Sequence, residues 1–367
     1  MKKTALALLV IVLLATSVFA CSQPAPTPAP APAPSPAPAP APAPAPRPTP
    51  APSPAPAPAP APAPVSGGVT LKATTPWPKA DNSNYKFLEY IDKVNATSNG
   101  LVTIQYMGGP EAIPTPQQIP ALQKRVIDVC LMAGGYYENI IPAVRSFAVS
   151  KYNPQQERES GFFDLMVDIH RQNGMEYVGR MGGVVPLLYL WTVTKKVDKP
   201  ADFKGLKIRS VAMINPLINA LGAVGVAVAV PEIYTAAQRG LIDGFGQPLI
   251  GSYERGFHEV SKYIVDTPLM QIPNALLFNK DVWNKLPADT QAFLRKTALE
   301  VESTIGPYYT AEDQRQRQLM AQNGVTLLNW SADDKFWLVD KTYSGNWDMV
   351  LREDPTNGSE LKWRSGN

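Results

Sequence analysis

From Pro24 to Pro64 every even-numbered residue is proline, and most of the residues between are alanine. Such a segment cannot build a core, because it lacks large apolar side chains and half its residues have no backbone N–H to donate. The pattern predicts an extended polyproline conformation rising about 3.1 Å per residue, so roughly 40 residues reach on the order of 120 Å. The folded part must therefore follow it. Val69 to Asn367 supplies about 300 residues, ample for a large core and typical of two lobes.

What precedes the tract explains its use. Lys2 and Lys3 lead into an apolar run, Ala5 to Ala20, that has signal-peptide length. A bilayer-spanning helix needs roughly 20 apolar residues, and no such stretch occurs later in the sequence. The run ends at Val18-Phe19-Ala20-Cys21, which resembles a bacterial lipobox whose cysteine is lipidated and becomes the mature N-terminus. Phe19 is bulky for that motif and Val18 stands where leucine is usual, so an ordinary secretory signal with a chance cysteine stays open. Both readings export the protein. Residues 1–20 are expected as a signal peptide, and residues 21–68 as a lipidated Cys21 with a tether. The folded part would then stand off the membrane, facing the periplasm or the cell exterior. Proline-rich stretches also serve as ligands for other modules, but readers of PxxP are mainly intracellular, which favours the tether.

A formal charge of only +3, with basic and acidic residues interspersed, gives no sign of a nucleic-acid partner, and none is expected. Cys130 is the one cysteine of the folded part, so no disulfide can form within it. Its setting, Val129-Cys130-Leu131-Met132, predicts a buried, inert thiol.

Hydrophobic periodicity places alternating elements along the fold. Val69–Ala73 reads as a strand, and Phe87, Leu88, Ile91 and Val94 form the apolar stripe of a helix closed by Asn99-Gly100. Leu101–Met107 is a strand, Gln117–Arg125 a helix and Val126–Ala133 a strand, an order that implies parallel crossovers in an α/β sheet. The pattern then repeats. A helix at Glu159–Gln172 precedes strands at Met175–Arg180 and Val185–Thr192, and Asp202–Ser210 (DFKGLKIRS) carries a short strand ending on Arg209. A helix at Asn215–Leu221, a strand at Val226–Val230 and a helix at Glu232–Arg239 opened by Pro231 come next. Pro287–Asn323 reads as one long helix interrupted at Gly306-Pro307, followed by a strand at Val325–Asn329 and a last helix from Ser331. Two α/β lobes braced by a long helix are the most economical reading.

Catalytic constellations are mostly missing, and the carboxylate pairs Asp333-Asp334 and Glu353-Asp354 read as solvated helix-end charges. The two histidines, His170 and His258, stand apart from any nucleophile motif, and there is no G-x-S-x-G, P-loop, H-E-x-x-H or G-x-G-x-x-G. Zinc spacing is impossible with this inventory. The sequence argues against an enzyme, and no cofactor is expected.

Strand ends instead carry aromatic and amide side chains: Trp77, Tyr136, Tyr189, Trp191, Phe245 and Gln247. In open α/β sheets those ends face the crevice where ligands bind. Arg209 is the sharpest candidate, since its planar fork holds both oxygens of a carboxylate at once. A surface arginine, solvated or paired with an acid such as Asp202, is the competing reading.

DFKGLKIRS, followed about twenty residues later by VPEIYTAAQRGLIDG, resembles the solute-binding proteins of tripartite ATP-independent periplasmic (TRAP) transporters, of the DctP type. GGPEAIPTPQQIPALQKRVIDVCLMAGGYY and FNKDVWNKLPADTQ match in the same order, so the resemblance runs from Val69 to about Gly345. It implies a two-lobed, periplasmic-binding-protein-like clamshell with hinge strands and a long connecting helix. Residues 69–186, with a return around 270–285, would form the first lobe, 187–269 the second, and 286–367 the long helix and C-terminal elements. It also implies a receptor that binds a small organic acid and delivers it to TRAP membrane permease subunits, with Arg209 making the salt bridge to the ligand carboxylate. The family's Gln-Glu-Asn-Pro is replaced by Phe245-Gly246-Gln247-Pro248, which implies a more apolar pocket closed by aromatic walls. Tyr189 falls near a second arginine of some relatives, which favours a monocarboxylate. Glu111, in the loop after the second strand, is a candidate for a ligand hydroxyl or ammonium, or for a cation bridging the ligand; a charge at a helix N-terminus is its plainer role. A receptor for an ATP-driven importer, or a sensor co-receptor, would share the clamshell and the tether.

Overall fold

The computed structural model describes residues 68–367; the apolar run to Ala20, Cys21 and the proline tract lie outside the described residues. β1 (Val69–Thr74) buries Leu71 and Ala73 and exposes Lys72, the alternation of a strand with one covered face. The helix Tyr85–Thr97 turns Phe87, Tyr90, Ile91 and Val94 inward, and the chain then reverses where Asn99 and Gly100 take φ of 49° and 81°. β2 (Val102–Gly108) and β3 (Val129–Ala133) both run parallel to β1. β4 (Met175–Arg180) follows the helix Phe162–Gln172.

A second sheet then begins with β5 (Leu188–Thr192), β6 (Lys207–Ser210), β7 (Val224–Ala227), β8 (Gly244–Pro248) and β9 (Tyr263–Val265). β10 (Asn274–Asn279) returns to the first sheet, antiparallel to both β3 and β4. β11 (Thr326–Leu328) joins the second sheet beside β9. The strand orders are β2-β1-β3-β10-β4 and β11-β9-β5-β8-β6-β7. These two mixed sheets with their covering helices make an α/β, two-lobed clamshell.

Each sheet is packed on both faces, and strand alternation sorts the side chains. In β3, Cys130 and Met132 enter one core while Val129 and Leu131 enter the opposite one. In β5, Leu188 and Leu190 face one way and Tyr189 and Trp191 the other. Each fully buried aliphatic side chain contributes about 1.5–3 kcal/mol. Cys130 is fully buried, and that burial pushes its thiol up, as befits an inert packing residue.

The chain crosses between the sheets after β4, after β9 and after β10. Two of the crossing segments touch, with Pro186 and Gln271 forming an antiparallel bridge. Gly183 permits this approach: its φ is 64°, and a Cβ there would collide with the Ile272 carbonyl oxygen. Arg180, fully buried at the end of β4, pairs with Glu157 and donates to Gln271 Oε1 at 2.7 Å. Its own amide donates to Glu302 at 2.8 Å, which ties β4 to the helix Ala288–Glu302.

Two expectations are corrected. The helix expected from Pro287 to Asn323 breaks at Ser303-Thr304 rather than Gly306-Pro307, giving Ala288–Glu302 and Ile305–Gln322. Pro307 falls in the first turn of the second helix, where its missing N–H has no intrahelical acceptor to lose, so it opens a helix instead of ending one. The strand expected at Val226–Val230 is β7, shifted to Val224–Ala227 on the sheet edge and largely exposed. Among the described residues, no helix is long and apolar enough to cross a membrane.

Candidate functional site

β6 and β8 run parallel, so their C-terminal ends meet at the same level, opposite the loops that leave β1 and β3 in the other lobe. Between them lies a cavity of about 120 Å³. The first lobe lines it with Trp77, Gly134, Gly135 and Tyr136, and the second with Arg209, Gly246 and Gln247. Tyr309, from the helix Ile305–Gln322, Asn274, where β10 begins, and Arg255, from the loop after β8, add to its polar boundary. The remaining walls are mostly aliphatic, among them Leu188, Val211, Ile214 and Ile272.

Arg209 is placed by its strand. Ile208 fills the core beside it, and the guanidinium reaches across the sheet end, where Nε donates to Val228 O at 2.9 Å and Nη1 to Gly246 O at 3.4 Å. The residue is 4% exposed, yet no acidic side chain among the described residues pairs with it. Burial pulls the guanidinium below its ordinary value, with the Tyr136 phenol acting the other way, and an arginine remains cationic through such a shift. A buried cation held by two carbonyls has its charge uncompensated, so this arrangement can take an anion.

Gly246 lets Ile214 close directly on β8, since a Cβ there would meet Ile214 Cδ1 at 2.7 Å. The Tyr136 and Tyr309 phenols are both raised above their ordinary value by burial, so each is a neutral O–H donor. Trp77 and Tyr136 pack with ring centroids 6.3 Å apart. Asn274 Oδ1 is buried with no donor among the described residues, an acceptor without a partner.

Trp77, Tyr136, Arg209 and Gln247 thus come together, and four other candidates do not. Tyr189, Trp191 and Phe245 point into the core behind β5 and β8. Trp191 stacks on Phe245 at 5.3 Å and gives its indole N–H to Gln247 O at 3.1 Å, while the Tyr189 hydroxyl accepts from Arg317 at 2.8 Å. The cavity lies at the Leu188 end of β5 and the Pro248 end of β8, and Tyr189, Trp191 and Phe245 pack in the core on the side of the sheet away from Leu188 and Leu190; aliphatic side chains, not aromatic ones, form most of the wall. Glu111 is exposed and accepts from the Gly109 amide at 2.7 Å, a contact that holds its carboxyl below the usual range. It closes the turn after β2 instead of entering the cavity. Among the described residues, no group of three or more His, Cys, Asp or Glu side chains gathers as a metal site.

Sequence reasoning missed Arg255, Asn274 and Tyr309. Arg255 lies beyond β8, on a loop bounded by Gly251 and Gly256 at φ of 72° and 73°. Its Nη2 contacts both oxygens of Asp81 at 2.9 and 2.8 Å, and Nη1 donates to Ile250 O at 3.0 Å. Asp81 belongs to the opposite lobe, where it also accepts from the Ser83 amide at 2.9 Å. Burial alone would raise the Asp81 carboxyl, but Arg255 and the Ser83 amide outweigh it and hold the group below its ordinary value. The glycines that frame this loop are the one signal in the sequence, and they mark a turn without naming its partner.

Neither histidine lines the cavity. His170 is fully buried, gives its Nδ1 hydrogen to Met166 O at 2.6 Å, and so accepts from the Tyr137 hydroxyl through Nε2 at 3.0 Å.

The family described as bacterial extracellular solute-binding protein, family 7 (DctP), matches residues 74–341. The C4-dicarboxylate-binding periplasmic protein DctP of Rhodobacter capsulatus is 33% identical over 129 residues, 35% of this chain and 39% of that protein, so the chain spans about two fifths of that relative's length. The monocarboxylate 2-oxoacid-binding periplasmic protein of Nostoc sp. is 24% identical over 283 residues, 72% of this chain and 75% of that one. A solved structure of a TRAP periplasmic solute-binding protein from Desulfovibrio salexigens, with bound orotic acid, superposes with a TM-score of 0.73 at 20% identity, over 81% of this chain and 97% of that chain. Matched over most of its folded part and alike in fold, the chain belongs to the bacterial extracellular solute-binding proteins of family 7, the DctP family.

Proposed function

We propose that this protein is the extracytoplasmic receptor of a TRAP transporter, capturing a small organic acid, probed first as a monocarboxylate, and presenting it to the membrane permease subunits. One observation carries the reading: Arg209 is buried at a cavity between two lobes with its charge uncompensated by any acid among the described residues. A ligand carboxylate supplies the missing anion, and closure of the lobes excludes water and strengthens the ion pair. The names of the relatives are consistent with this, since a C4-dicarboxylate, a 2-oxoacid and orotic acid all carry a carboxylate. Aliphatic walls and a single uncompensated cation favour one carboxylate over two. The protein is a carrier and not an enzyme: binding and release are all its chemistry.

Lipidation of Cys21 and the proline tract beyond it would tether this receptor to the membrane while leaving the clamshell free to reach the permease. Titration calorimetry against 2-oxo, hydroxy, amino and aromatic monocarboxylates, with neutral amides as controls, tests the receptor reading. The acids bind and the amides do not; equal binding of both would remove the carboxylate from the account. Cys21→Ser should move the protein from the membrane fraction to the soluble fraction, and an unchanged distribution would remove the anchor.

A further inference from the structure

Two arginines line the cavity, and only one is available to a ligand. Arg255 comes from the second lobe, yet its Nη2 already contacts both oxygens of Asp81, which the first lobe supplies. Nη1 is taken up by Ile250 O. The pair is partly buried on both sides, with side-chain exposures of 19% and 16%. Gly251 shapes the position, because a Cβ there would press on the Arg255 guanidinium at 3.1 Å. On the Asp81 side, the Ser83 amide fixes the carboxylate.

This arrangement has the form of a ligand contact made by the protein to itself. We infer that Asp81 occupies on Arg255 the place a second ligand carboxylate would take, so that closure of the lobes selects acids bearing a single carboxylate. The inference rests on the proposed role of Arg209 as the anchor for the first carboxylate. A diacid bound there would bring its second carboxylate toward Arg255 and meet Asp81, a like charge already in place. A monoacid meets only the aliphatic wall. The cross-lobe ion pair thereby contributes to closure what a second carboxylate would contribute in a receptor without Asp81.

The test compares acids that differ only by methyl and carboxylate: butyrate with succinate, and 2-oxobutyrate with oxaloacetate. Calorimetry is run on the wild type, Asp81→Asn, and Asp81→Asn combined with Arg255→Gln. Asparagine keeps an oxygen for the Ser83 amide, and Asp81→Ser serves as a second variant that also keeps a capping oxygen. The wild type should prefer the monoacid of each pair. Asp81→Asn should shift the ratio at least tenfold toward the diacid, and loss of Arg255 in the double variant should reverse that shift. A ratio unchanged within twofold in both Asp81 variants, with monoacids still bound, would overturn the role of Asp81 and leave the receptor reading standing. A wild type that prefers the diacids would overturn it equally. If no acid binds any of these proteins, the receptor reading falls and this inference falls with it.

Discussion

Arg209 Nε donates to the Val228 carbonyl at 2.9 Å, and that bond turns a flexible side chain into an oriented fork. Val228 follows the edge strand β7, so the strand that covers β6 also aims its last cation. With Nη1 reaching Gly246 O at 3.4 Å, one side of the guanidinium is spent on backbone carbonyls and the other remains for an anion.

Gly183 should not tolerate a side chain. Its left-handed φ of 64° and the closeness of Ile272 O leave no room for a methyl group where the crossing segments meet. Gly183→Ala is expected to cost about 2–4 kcal/mol in urea unfolding and to weaken ligand binding with it. Wild-type stability in the variant would mean that the crossing segments part easily.

Arg180 is the most deeply buried cation of the first lobe, and Glu157 is its partner. Arg180→Met should destabilise by about 3–5 kcal/mol, because it leaves a buried carboxylate unpaired. Adding Glu157→Gln should return much of that loss. Equal instability of the single and double variants would show that packing, not charge pairing, dominates there.

His170 gives a pH signature. Burial pushes it down to about 4, against an ordinary value of 6.5, so the unfolded chain binds a proton that the folded one refuses. Stability should therefore be complete above pH 6.5 and fall as pH drops toward 4, by at most about 1.4 kcal/mol per pH unit from this group. Chemical denaturation of His170→Gln between pH 7 and pH 4 should show a shallower slope, and parallel curves would contradict the assignment.

Asn274 Oδ1 is a buried acceptor lacking a donor among the described residues, and a ligand N–H or O–H would satisfy it. Asn274→Leu should then reduce binding of an acid carrying such a donor by roughly ten- to hundredfold, following a cost of about 1–3 kcal/mol, while sparing the analogue without it. Calorimetry on a hydroxy acid and its deoxy counterpart reads this directly; equal losses for both would assign Asn274 to the hinge alone.

Most strands are readable in the sequence because alternation and turn residues are local signals, and Arg209 stands out as a charge ending an apolar strand; β9, only three residues long, and β10, buried throughout and so without alternation, are not. Which aromatics face the cavity is not readable. Phe245 and Gln247 share a strand face, and only the position of the opposite lobe decides that the last of them reaches the cavity while the earlier one packs on Trp191. Arg255 and Asp81 are 174 residues apart, and neither lies in a pattern that foretells the other. Tyr309 enters from a helix that starts at Ile305, and a proline in its first turn looks in sequence like an interruption. The fold is therefore legible element by element, and the site only where one element carries it alone.

The central claim is that Arg209 holds the ligand carboxylate. The direct measurement is titration of the wild type, Arg209→Lys and Arg209→Ala with the monocarboxylate that the wild type binds most tightly. The account predicts loss of at least a hundredfold in affinity for alanine and a large, smaller loss for lysine, which keeps the charge without the fork. An Arg209→Ala receptor that is folded and binds the acid as tightly as the wild type would contradict it.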